Sequence, residues 1–91
     1  MYPWDQELDW LMVFDSTHNA LVAEAALGEA GIEALTVPAP HGLAAGCALA
    51  IAFRGVQMDK VRPVLSRSMA RYAGLYRQDG NGGYVKLEDQ A

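Results

Sequence analysis

Apolar residues recur along the chain with two different periods, and the switches between them divide it into short elements. Trp10 to Phe14 reads WLMVF, a run of strand length in which both parities are apolar. A strand of that kind is covered on both faces and lies centrally in a sheet. Asp15-Ser16-Thr17 then supplies N-cap chemistry, and the spacing predicts a helix over Asn19 to Ala30. Ala20, Ala23, Ala26, Leu27 and Ala30 share one face of it, mostly methyl groups that let a helix sit close on a sheet. Gly31 stands where a left-handed residue would end the helix. Ala34 to Val37 forms a second strand, closed by Pro38 and Pro40, and the loop HGLAAG follows. Cys47 to Phe53 alternates, with Cys47, Leu49, Ile51 and Phe53 on one face and Ala48, Ala50 and Ala52 on the other.

A second helix is expected from Gln57 to Met69, with Met58, Val61, Leu65 and Met69 as its buried stripe and Lys60, Arg67 and Arg71 opposite. Pro63 fits a helix only in its first turn, which asks for Asp59 as the cap. Tyr72 to Tyr76 reads as a fourth strand. Asp79 to Gly83 is a turn, after which Tyr84 to Leu87 adds a short hairpin strand or tail. The order β-α-β-β-α-β implies an α+β ferredoxin-like sandwich: an antiparallel sheet with two helices on one face and the third strand between the first two. The expected organisation is an acidic leader over 1–9, one domain over 10–78, and a Gly-rich turn with a strand or tail over 79–91.

Composition narrows what such a domain can do. At 91 residues, 52% hydrophobic and 20% charged, the chain fits one compact domain and is too apolar for a disordered one. Its size leaves little room for a private pocket, so it reads as a carrier or binding protein rather than a complete enzyme. A single cysteine excludes an internal disulfide and a four-cysteine zinc site. Residues 1–53 hold seven Asp/Glu and no Lys or Arg, whereas residues 54–91 hold all seven cations and four acids. That polarity can steer a protein partner. The sequence pI near 4.9 argues against nucleic acid as that partner. No apolar run has the roughly 18–20 residues that span a bilayer, and the acidic start is unlike a secretory leader, so the expected location is cytoplasmic.

The topology also points to the chemistry. The first helix starts at the sheet edge where the third strand enters, so Cys47 is expected near the Ser16-Thr17-His18 entrance to that helix. Unpaired amides and the helix dipole favour a thiolate there. His41, in the loop before the strand, is a second candidate neighbour. Asp15, His18, His41 and Cys47 match no common metal-ligand spacing, so neither a metal site nor a cofactor is implied. On spacing alone, a lone cysteine in an alternating apolar strand is usually a small core residue. The alternative function is therefore an interaction or regulatory module, dimerising through the smooth alanine face of the sheet, with Cys47 only structural.

The segments FDSTHNAL (14–21), Ala23-Glu24, Glu29-Ala30-Gly31-Ile32 and Val37-Pro38-Ala39-Pro40 precede a cysteine that opens a short apolar strand. Together they resemble a short bacterial family of selenium/sulfur carrier-like proteins, over roughly residues 10–77. The resemblance implies that Cys47 carries sulfur or selenium as a persulfide-type adduct between donor and acceptor proteins. It implies Ser16, Thr17 and His18 as further site residues.

Overall fold

Backbone pairing joins the predicted strands into one sheet. The structure, a computed structural model, describes residues 8–39, 49–80 and 83–88. Its elements in chain order are β1 (Trp10–Phe14), α1 (Thr17–Glu29), β2 (Ala34–Pro38), β3 (Leu49–Phe53), α2 (Met58–Ser68), β4 (Gly74–Gln78) and β5 (Tyr84–Glu88), with a 3-10 turn at Gly55–Gln57 before α2. The sheet order is β2-β3-β1-β4-β5, and every neighbouring pair is antiparallel. The first four strands keep the ferredoxin-like arrangement, with β3 between β1 and β2. β5 adds a fifth strand outside β4, reached through a turn in which the Asp79 carboxylate accepts from the Gly83 amide at 3.0 Å.

Strand periodicity decides which side chains meet the helices. Met12, Phe14, Ile51, Phe53 and Leu75 point to one face, where Ala20, Ala23 and Leu27 of α1 and Met58, Val61, Val64 and Leu65 of α2 pack on them. Trp10 stands edge-on to Phe53 at the far end, their rings 6.1 Å apart. The Trp10 indole also lies over Gly55, where a Cβ would run into it. At the end of α1 the Ile32 amide donates to the Leu27 carbonyl and the Gly31 amide to the Gly28 carbonyl, with Gly31 at φ 75°. This paired closure needs a left-handed residue, which glycine adopts without a Cβ clash.

Four expectations change. Met69 does not belong to the buried stripe: it caps α2 in a left-handed conformation (φ 62°, ψ 20°) and is 76% exposed. Val64, outside the expected stripe, is buried. Pro63 is not in the first turn, because α2 starts at Met58 with Gln57, not Asp59, at the cap. Its ring therefore removes one interior backbone bond, on a side of the helix that faces solvent. The fourth strand begins at Gly74, two residues later than its aromatic pattern suggested, since the Ala73 amide donates to the Val13 carbonyl (2.7 Å) and sets the register.

The fourth change concerns the alanine face. Ala50 and Ala52 are fully buried within the single chain, as are Leu11 and Val13 between which the strands place them. They form a second cluster with Leu8, Val37 and Tyr76, and Leu35, Ala39 and Tyr84 pack against it. The smooth open surface expected for sheet-to-sheet dimerisation is closed in the monomer; Ala48, also assigned to it, lies outside the described residues. Of the acidic leader, Leu8 and Asp9 are described, and both are fastened to the fold. The Asp9 carboxylate accepts from the Gly55 amide at 2.9 Å, and its carbonyl accepts from the Gln78 amide.

Candidate functional site

The entrance to α1 is built by one serine. Ser16 has extended backbone (φ −126°, ψ 122°), and its hydroxyl accepts from the Asn19 amide at 3.3 Å. Its carbonyl accepts from the Ala20 amide at 3.0 Å. That leaves the amides of Thr17 and His18, which have no hydrogen-bond partner among the described residues. Both side chains are exposed, and the first helical turn carries no acidic residue. An uncompensated helix start of this kind attracts an anion. Ser16→Ala is expected to cost about 1 kcal/mol, within the usual 0.5–2 for a lost N-cap, measured by denaturant unfolding.

Strand register brings three chain segments to this edge. Phe14, the last residue of β1, pairs with Leu49, the first of β3, and Leu49 pairs on its other side with Pro38, the last of β2. Of the sequence-predicted site residues, Ser16, Thr17 and His18 are contiguous here. Cys47 and His41 lie outside the described residues.

The exit of α2 reaches the same edge, because Gly74 pairs with Val13 next to Phe14. A groove of about 580 Å³ opens there, with Arg62, Ser66, Met69, Arg71 and Tyr72 in its walls. Sequence reasoning gave these residues no part in a site. Arg71 read as part of a solvated helix face, and the helical period carried Met69 into the core. Nothing local marks a methionine as the residue that will turn left-handed.

Among the described residues, no helix is long and apolar enough to cross a membrane. No curated protein matches the chain. A family model described as "Putative Se/S carrier protein-like" matches residues 9–77, from the entry of β1 to the end region of β4. The match spans most of the chain and takes in the α1 entrance, the β2–β3 connection and both helices, and on it the chain belongs to this selenium/sulfur carrier protein-like family.

Proposed function

We propose that the chain is a sulfur or selenium carrier in which Cys47 accepts a persulfide-type adduct from a donor protein and yields it to an acceptor. The observation that carries the reading is the register that sets Leu49 against Phe14, one residue pair from the open start of α1. Cys47 is two residues before Leu49 in sequence. Covalent geometry therefore holds its Cα within about 7 Å of that of Leu49. Family membership supports the same class of function.

The chemistry is thiol exchange. The Cys47 thiolate attacks the outer sulfur of a donor persulfide; the new S–S bond forms as the donor's S–S bond breaks, and the donor thiolate leaves with the electron pair. No external oxidant or reductant is consumed. An acceptor thiolate repeats the step on the Cys47 adduct. The Thr17 and His18 amides offset charge on the sulfur, and His18 or His41 donates a hydrogen bond or shuttles the proton.

Incubation with a cysteine desulfurase and cysteine, followed by intact-mass analysis, tests this directly. The expected gain is one sulfur atom, about 32 Da, removed by a reducing agent and absent in Cys47→Ser. A native protein that gains no mass from a panel of persulfide donors, while its thiol alkylates readily, is not a carrier.

A further inference from the structure

One face of the sheet is fully buried with no described element over it. Leu35, Ala52, Leu11 and Tyr76 stand side by side across β2, β3, β1 and β4, on the face away from the helices. Leu11 is 1% exposed and Ala52 0%. Every helix residue in the described core belongs to the other cluster. The one large ring of the row, Tyr76, does not close it. That ring leans along its own strand over Gly74, where a Cβ would meet it, and so toward the neighbouring row that holds Val13 and Ala50. Side chains standing upright on one sheet do not bury one another; a face is closed by a second layer. The cover therefore comes from a segment outside the described residues: 1–7, 40–48, 81–82 or 89–91.

Their sequences and positions separate these segments. Residues 81–82 and 89–91 contain no large apolar side chain. Residues 40–48 contain one, Leu43, and join β2 to β3 at the end of the sheet away from Ala52. Residues 1–7 contain Met1, Tyr2 and Trp4, and they lead into Leu8 at the near end. Leu8 is itself buried in the same cluster. Gln78 holds the chain there: its side-chain amide donates to the Leu8 carbonyl at 3.4 Å and its backbone amide to the Asp9 carbonyl at 2.9 Å. Tyr2, Trp4 and Gln6 share the parity of Leu8, whereas Pro3, Asp5 and Glu7 have the opposite one. An extended run back from Leu8 thus puts both aromatic residues on the side of the buried leucine and both carboxylates on the other. Pro3 favours extended backbone at Tyr2. The four steps from Trp4 to Leu8 reach about 13 Å, and β2 lies two strand spacings, about 10 Å, from β1.

We infer that residues 2–8 are an intramolecular strap laid across this face, with Trp4 and Tyr2 seated on Ala52, Leu11 and Leu35. The methyl of Ala52 leaves the depth that an aromatic ring needs, and each such ring buries a large apolar area. The strap is an autoinhibitory contact. Without it the chain presents a smooth, uncharged sheet face of the kind that pairs with a second copy. The contact depends neither on Cys47 nor on the carrier chemistry.

Nuclear Overhauser contacts in the unsubstituted chain test the strap. The Trp4 indole is expected to contact the methyl groups of Ala52 and Leu11, which its ring current shifts upfield, and Trp4→Ser is expected to abolish that shift. Tyr2→Ser/Trp4→Ser is expected to raise the unfolding equilibrium constant at least tenfold, less than the loss of a wholly enclosed tryptophan. The same variant is expected to bind an apolar dye that the parent does not bind, and to self-associate as its concentration rises. Contacts from Leu43 to Ala52 in place of those from Trp4 overturn the assignment. So does a double variant as stable, as free of dye and as monomeric as the parent. If the double variant does not fold, the contacts of Trp4 in the unsubstituted chain decide alone.

Discussion

Phe14→Ala is expected to remove about 3–5 kcal/mol of folding stability, the usual cost of truncating a fully buried phenylalanine. The side chain is completely buried and belongs to the cluster that joins the sheet to both helices. A domain of 91 residues has a total stability of roughly 5–14 kcal/mol, so the loss approaches the whole at the lower end. It translates to a fall of at least about 12 °C in Tm. The position gives the effect a second consequence. Phe14 is the last residue of β1, pairs with Leu49, and immediately precedes the turn that presents Ser16. A cavity there loosens the register that holds the start of β3 against the start of α1. Phe14→Leu, which keeps most of the volume, is expected to retain the fold with a smaller loss. Thermal and urea unfolding measure both; an alanine variant as stable as the parent means that the ring is not packed between sheet and helices.

The parts of this fold that were legible are those whose signals are local. Ser16 caps α1 and Gly31 ends it because an acceptor side chain and a missing Cβ act within one turn of where they stand. The strand order followed as well, since alternation at Ile51 and Phe53 and the double-sided run at Trp10 to Phe14 leave β1 and β3 central. What failed was decided by contacts distant in sequence. The aromatic spacing of Tyr72 and Tyr76 suits a strand beginning at Tyr72, but pairing with β1 starts only at Gly74 and places the two tyrosines in different clusters. Met69 continues the apolar period of α2, yet the chain must leave the helix there to enter β4. Burial of the alanine face had no local sign, because alternation reports that a face is apolar and not what lies over it.

For the site, residue type pointed to the α1 entrance, and register sets the first residue of β3 against the last of β1, which leads into it. The groove at the exit of α2, with Arg62 and Arg71 in its walls, was spread over a helix face and an exit turn. Its cations, taken singly, are indistinguishable from solvated charge. Only the return of α2 to the edge used by β1 and β3 brings its exit to the same end of the sheet as the start of α1.

Ala52→Asp separates the two ways in which the second face of the sheet can be closed. Ala52 is fully buried, and its cross-strand neighbours are Leu11 and Leu35, so a carboxylate there has apolar side chains on both flanks. Desolvating an unpaired charge is among the few changes that cost a domain several kcal/mol. About 3–5 kcal/mol is expected, as for other uncompensated buried charges. With the cover supplied within the chain, the variant unfolds at low concentration and high concentration alike, and its stability improves as pH falls and the carboxyl protonates. The sign follows from linkage: burial raises the folded-state pKa of the introduced acid above its unfolded value, so the destabilisation is present at neutral pH and relieved in acid. If the face closed only by pairing with a second copy, Ala52→Asp would instead yield a folded monomer whose parent shows concentration-dependent stability. Sedimentation and urea unfolding at two protein concentrations distinguish the cases. A folded, monomeric Ala52→Asp variant of near-parental stability would reopen the sheet face as an interaction surface.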